Sequence, residues 1–245
     1  MQELPRQLPF PRRQPLDRHQ IVSEEVPAPS RTRVRVWDLP TRLVHWLLVV
    51  GIAVSWWTGE TGRLEWHRWS GYVLTGVVMF RVYWGFFGSS TARFARFVHG
   101  PRTVLAYVRG AWQAVPGHNP LGALSVVALL ALLATQIVLG LFAVDVDGIE
   151  SGPLSLYVSF DAGRDAARWH GVLFNLLLGL IALHIAAILY YGLVKKQNLA
   201  AAMLHGEREF SAGYPAVQHA SAVRLIVGIV LAALLTWLVT RAFRF

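Results

Sequence analysis

The stretch Trp169-His170-Gly171-Val172-Leu173-Phe174-Asn175-Leu176-Leu177-Leu178-Gly179-Leu180-Ile181-Ala182-Leu183-His184, which stays apolar almost to Val194, decides the fold. It has the roughly 20 residues needed to cross the hydrocarbon core of a bilayer, yet it carries an ionisable side chain near each end. His170 and His184 are fourteen residues apart. On a helix they lie about 21 Å apart along the axis and within about 40° of one face. A single helix thus offers one imidazole near each membrane surface, both turned the same way.

Outward from this segment, four more apolar runs fall at about 41–59, 69–88, 121–144 and 222–243. The predicted fold is an all-α integral membrane protein, a four-helix transmembrane bundle plus a fifth C-terminal transmembrane helix. The first run is the least apolar. Trp56 and Trp57 near its end suit an interfacial belt, Gly59 to Gly62 suits a short turn, and Asn119-Pro120 reads as the start of the third helix. Composition agrees: 54% of the 245 residues are hydrophobic and 15% charged, and the mean hydropathy is +0.42, well beyond soluble averages. There is no cysteine, which excludes disulfides, thiolate-held iron–sulfur clusters, cysteine zinc sites and covalent c-type haem attachment.

Residues 1–36 hold six prolines and seven arginines with no apolar run, the composition of a disordered arm. With no apolar stretch before Leu43, the first span is expected to stay in the membrane as a signal anchor. The expected organisation is the arm at 1–36, a transmembrane domain at 37–208, and a linker with the fifth helix at 209–245. The net charge of +9 is topological and does not point to nucleic acid. With the N-terminus cytoplasmic, inner segments carry sixteen Lys/Arg and the two outer loops four, as the positive-inside rule requires. The outer loops also carry seven carboxylates, a mildly acidic face that either docks a basic or mixed-charge partner or is simply solvated.

Four histidines fall in or at the ends of spans. The first span runs outward, so His45 is at the inner level; the second and fourth run inward from the outside, so His67 and His170 share the outer level and His184 the inner. Two pairs result, His67/His170 outer and His45/His184 inner, each joining two helices. Facing neutral imidazoles hold a planar haem iron from both axial sides, which favours electron transfer over oxygen binding. A bare zinc or copper ion would recruit a further Cys, carboxylate or His, and none is near either level. The plainer alternative is core histidines bonded to backbone or to Ser/Thr of neighbouring helices. Arg81, fourteen residues beyond His67, also reaches the inner level, either to pair with a haem propionate or to snorkel towards headgroups. His118 precedes the third span and is read as a loop residue or a contact to a quinone headgroup; Gln136 is read as an interhelical hydrogen bond. His19, His99, His205 and His219 are expected to be solvated.

Arg35-Val36-Trp37-Asp38-Leu39-Pro40-Thr41-Arg42-Leu43-Val44-His45-Trp46, Trp66-His67-Arg68-Trp69-Ser70-Gly71-Tyr72, Phe80-Arg81, Trp84-Gly85, Gly117-His118-Asn119-Pro120-Leu121-Gly122 and His184 with Tyr190-Tyr191 resemble the bacterial cytochrome b-561 family, which includes the cytochrome b subunits of nickel–iron hydrogenases. The resemblance covers about 35 to 208. It implies a membrane dihaem b-type cytochrome of the bacterial inner membrane, with His45, His67, His170 and His184 as iron ligands. Electrons would pass between the quinone pool and a periplasmic or membrane redox partner in a respiratory chain. Gly171 departs from the glutamate that often follows the first histidine of the fourth helix in this family, which removes a carboxylate from the outer site. An electron-transfer subunit is favoured over a stand-alone oxidoreductase. Two alternatives stand beside it: a self-sufficient enzyme such as a superoxide:quinone oxidoreductase, and a haem-free membrane anchor or transporter with histidines as proton relays.

Overall fold

The computed structural model describes residues 31–112, 115–147, 150–211 and 217–242. Of the arm expected at 1–36, residues 1–30 lie outside the described residues, as does 243 onward. Eight helices run in chain order: α1 (Leu39–Glu60), α2 (Leu64–Phe87), α3 (Phe94–Phe97), α4 (Pro101–Val108), α5 (Pro120–Phe142), α6 (Phe160–Leu193), α7 (Leu199–His205) and α8 (Ala222–Thr240). Strands β1 (Arg31–Arg35) and β2 (Glu207–Ser211) and a 3-10 turn at Ser155–Tyr157 complete the described elements.

Helix starts are written locally. Asp38 caps α1 by accepting from the Thr41 N–H at 2.9 Å, with Pro40 in the first turn. Asn119 caps α5 through the Gly122 N–H at 2.7 Å, with Pro120 as the first helical residue. Each cap satisfies an N–H that the helix cannot, worth about 1 kcal/mol. Ser159 caps α6, whose first residue, Phe160, stands nine before the apolar run, so this helix of 34 residues is about 51 Å long and outreaches a hydrocarbon core of about 30 Å. Its extra turns carry Asp161, Arg164, Asp165 and Arg168.

Among the described residues α1, α5, α6 and α8 are long and apolar enough to cross a membrane. α2 has the length, at 24 residues, but Glu65, His67, Arg68 and Arg81 dilute its apolar content. The expected count of five crossings is therefore met by four helices on length and composition. α1 packs along α2, α5 along α6, and α8 lies against α2. Small residues make these approaches possible: a Cβ on Gly51 would stand 2.7 Å from Leu74 Cδ2, and one on Gly228 2.5 Å from the Tyr83 ring. At mid-bundle Val78, Leu133 and Leu177 form an apolar layer with Leu48, Ile52 and Ile181 around it. Leu177, 1% exposed, is seven residues from both His170 and His184 and separates their levels. Leu183, Ile185, Ile226 and Val230 instead face outward, as lipid-facing positions do.

The α1–α2 turn marks one end of the bundle, the turn end. At the other, the sheet end, β1 and β2 pair antiparallel, Arg33 opposite Glu209 and Arg35 opposite Glu207. This corrects two expected boundaries: residues 31–36 are folded and not part of a disordered arm, and β2 straddles the division placed at 208/209. The cause is a partner 170-odd residues away. Val36, Trp37, Ala202 and Phe210 bury one face of the sheet, with Arg208 lying over Phe210, while Arg33, Arg35, Glu207 and Glu209 sit on the other. Gly206, at φ +83°, bonds its carbonyl to the N–H groups of Val36 and Trp37. A Cβ there would lie 2.7 Å from the Trp37 carbonyl, so the position needs glycine on two counts.

Candidate functional site

At the turn end His67, in the first turn of α2, and His170 of α6 face each other with ring centroids 5.9 Å apart and planes at 82°. Each ring is locked from behind. His67 Nδ1–H donates to the Ser55 carbonyl at 2.8 Å, and His170 Nδ1–H to the Gln136 carbonyl at 2.9 Å. A carbonyl only accepts, so Nδ1 carries a proton in both rings, and in a neutral ring the lone pair is then on Nε2. That is the tautomer of a metal-ligating histidine, with the second nitrogen held by a backbone acceptor. Gln136 also returns a bond, Nε2–H to the His170 carbonyl at 2.8 Å, which ties α5 to α6 at this depth. Gly59 and Gly140 make room for the rings: a Cβ on Gly140 would stand 2.9 Å from His170 Cε1.

Both imidazoles line a cavity of about 380 Å³ walled by Ile52, Leu74, Leu133, Ile137, Phe174 and Leu177. Arg68 and Glu150 form an ion pair at its edge, joining α2 to the loop before α6. Two metal–imidazole bonds of about 2 Å, with each ring centre about 1 Å behind its nitrogen, span a distance of the order observed between these rings. Among the described residues no group of three or more His, Cys, Asp or Glu is gathered to hold a bare ion. Two imidazoles lining one largely apolar cleft, each with Nδ1 tied back to a carbonyl, fit a metal macrocycle that supplies its own further nitrogens, as haem does.

At the sheet end His45 of α1 and His184 of α6 are close enough to interact electrostatically. His45 Nδ1 is buried without a hydrogen-bond partner among the described residues. Arg81 is 7% exposed, which rules out snorkelling to water, and its guanidinium lies over Phe94 at 5.2 Å. His118 lies in the loop before α5, as read, but its ring is packed 4.6 Å from both Trp37 and Phe97. Burial, then the nearby Arg81 and His184, push its pKa down to about 3, so it is neutral at pH 7. Beside it, Tyr107 and Tyr191 hydrogen-bond through their hydroxyls, and Asn119 Nδ2 donates to the Tyr191 oxygen at 3.0 Å. Burial and that tyrosine contact push the Tyr107 hydroxyl above its ordinary pKa.

The structure therefore sets His67 against His170 and His45 near His184, with Arg81 at the second pair's end. The carbonyls of Ser55 and Gln136 escaped sequence reading because a backbone acceptor has no residue signature. The Gln136 carbonyl also supplies an acceptor to His170 despite the glycine at 171. The aromatic clasp on His118 was hidden for another reason, since Trp37 and Phe97 come from separate segments.

A family model described as "Prokaryotic cytochrome b561" matches residues 36–206. Relatives described as "Probable Ni/Fe-hydrogenase B-type cytochrome subunit" include one from Azotobacter chroococcum, 26% identical over 76% of this chain and 92% of its own. One from Azotobacter vinelandii has the same identity and coverage. Another, from Bradyrhizobium diazoefficiens, is 24% identical over 75% of this chain and 89% of its own. No solved structure matches the chain significantly.

Proposed function

The chain belongs to the prokaryotic cytochrome b561 family, and from that premise we propose that it carries electrons between the quinone pool and a hydrogenase-like redox partner through two haem sites. Membership makes it a multi-pass membrane b-type cytochrome of electron transfer, with haem b as its cofactor. In our reading His67 and His170 hold one haem at the turn end, His45 and His184 a second at the sheet end, and Arg81 pairs with a carboxylate of the second. The sheet end and N-terminus face the cytoplasm of a bacterial inner membrane, and the turn end meets the partner. α2 and α8 both cross the bilayer, giving five crossings.

The observation that carries this reading is the His67/His170 pair, with both Nδ1 atoms tied to carbonyls at 2.8 and 2.9 Å and both rings lining one apolar cavity. Haem supplies reversible one-electron chemistry at its iron; the protein supplies axial ligation, orientation and surroundings. His67 with His170, and His45 with His184, would each hold a haem suited to electron transfer in preference to binding oxygen or substrate. The carbonyl bonds behind His67 and His170 fix the rings and raise their basicity as ligands. The layer of Val78, Leu133 and Leu177 keeps water from joining the two levels. The relatives' names supply the hydrogenase-like partner. Quinone is assigned to the sheet end, near the ends of α1 and α6.

The test is the dithionite-reduced minus air-oxidised spectrum of the detergent-purified chain with haem counted per polypeptide. Two b-type haems with sharp low-spin bands are expected. One haem would make one pair structural, and none would sink the reading. A photoreactive quinone should label the sheet end; labelling confined to the turn-end loops would overturn that assignment.

A further inference from the structure

The sheet end holds more buried polar groups than a histidine pair uses. Arg81 Nη1 is buried with no hydrogen-bond partner among the described residues. Asp38 lies close enough to interact with it electrostatically, yet its hydrogen bonds run elsewhere: Oδ1 accepts from the Thr41 N–H at 2.9 Å and Oδ2 from the Trp84 indole at 3.0 Å. The guanidinium lies instead over the Phe94 ring, which offers attraction but no acceptor. His118 Nδ1 is likewise buried without a partner among the described residues, and Trp37 and Phe97 hold its ring in place. Arg81 and His184 each lie close enough to His118 to act on it electrostatically. A buried guanidinium nitrogen and a buried imidazole nitrogen, each unpartnered among the described residues, are unfavourable unless an acceptor reaches them.

We propose that Arg81 and His118 together form a carboxylate-binding subsite beside the His45/His184 pair, with His118 as a positioning residue that donates a hydrogen bond to a propionate of the sheet-end haem and never ligates its iron. This rests on the proposed function, which places a haem there. The subsite differs from a lone arginine contact. The guanidinium supplies charge, the neutral imidazole supplies one directional N–H, and the aromatic clasp fixes where that N–H stands. Trp84 contributes indirectly by occupying the Asp38 oxygen that would otherwise compete for Arg81. Both donors disperse the negative charge of the carboxylate near the iron. Removing either leaves that charge less compensated, favours the ferric state and lowers the midpoint potential.

The test is a spectroelectrochemical titration of the intact holoprotein with His118→Phe, which keeps an aromatic ring in the clasp but removes the N–H, and with His118→Gln, which restores a donor. The sheet-end haem is identified as the one lost in His45→Ala. His118→Phe is expected to keep both haems and low-spin spectra and to lower that haem's midpoint. The shift should be about tenfold in its reduced-to-oxidised ratio at fixed ambient potential, 59 mV for one electron. The other haem should stay put, and His118→Gln should recover most of the shift. The propionate-bending band of the same haem in resonance Raman should move with it. If His118→Phe loses the haem while His118→Gln retains it, the subsite stands; loss from both indicates a merely structural role and overturns it. Unmoved midpoints in a two-haem His118→Phe protein overturn the subsite alone. A wild-type chain lacking the haem that His45 would hold overturns the function reading and the subsite with it.

Discussion

The two ends of the bundle hold similar pairs of histidines in opposite surroundings. At the turn end both rings are locked by backbone carbonyls, the walls are apolar, and the charged pair Arg68–Glu150 neutralises itself at the edge. At the sheet end His45 Nδ1, Arg81 Nη1 and His118 Nδ1 are buried without partners among the described residues, and the nearby Asp38 carboxylate bonds the Thr41 N–H and the Trp84 indole instead. The atoms left over at the turn end are acceptors, Gln136 Oε1 and Asp145 Oδ1, whereas the sheet end leaves ring and guanidinium nitrogens without an acceptor among the described residues. A haem at the turn end would need only ligation and shape from the protein, whereas one at the sheet end would also complete the protein's own hydrogen bonding.

The largest expected effect tests the pairing itself. His170→Ala and His67→Ala should each reduce the haem count from two per chain to one and remove the same haem, seen by pyridine haemochrome quantification with redox titration. If the two variants lose different haems, the comparison has no basis. Next comes the layer between the ends. Leu177→Ala should cost roughly 2–5 kcal/mol through the cavity it leaves. It should lower the thermal midpoint while leaving the difference between the two haem potentials intact, and a change confined to one potential would mean that Leu177 belongs to one site.

Gln136→Leu sharpens the contrast further. It deletes the amide bond to the His170 carbonyl but keeps the Gln136 carbonyl that holds the His170 ring. Haem should leave the turn end about tenfold more readily, at the low end of effects for groups behind a ligand, as followed by transfer to apomyoglobin. Equal loss from both ends would assign Gln136 to general packing. The smallest effect is expected at the sheet surface. Arg33 pairs with Glu209 at 3.5 Å with its side chain 74% exposed, so Arg33→Ala should change stability by less than about 1 kcal/mol. A larger loss on thermal unfolding would show that the two-stranded sheet governs the stability of the bundle.

Much of the architecture was legible in the linear chain. Hydropathy located the long helices to within a few residues at most ends, and Asn119-Pro120 marked the start of α5 because a cap and a first-turn proline act locally. The count by depth that grouped His67 with His170 needed only helical rise and alternating direction. The exceptions have physical causes. α6 starts at Phe160, not 169, because a helix continues through polar residues once capped, and hydropathy sees only its apolar part. β1 and β2 were missed because short charged strands carry little pattern, and their pairing partners lie at opposite ends of the chain. α3 and α4 are too short and too polar for a hydropathy reading to catch.

The amino-acid sequence by itself determined a helical membrane bundle with imidazoles at two depths, because apolar length, helical periodicity and charge asymmetry are properties of consecutive residues. Only the tertiary structure decided which nitrogen of His67 and His170 bears the proton, that Arg81 is buried, that Trp84 occupies Asp38, and that His118 is clasped between Trp37 and Phe97. Each of these depends on groups far apart in the chain meeting at hydrogen-bond or ring-contact distance. No window of sequence contains that information, since it arises from how the helices pack.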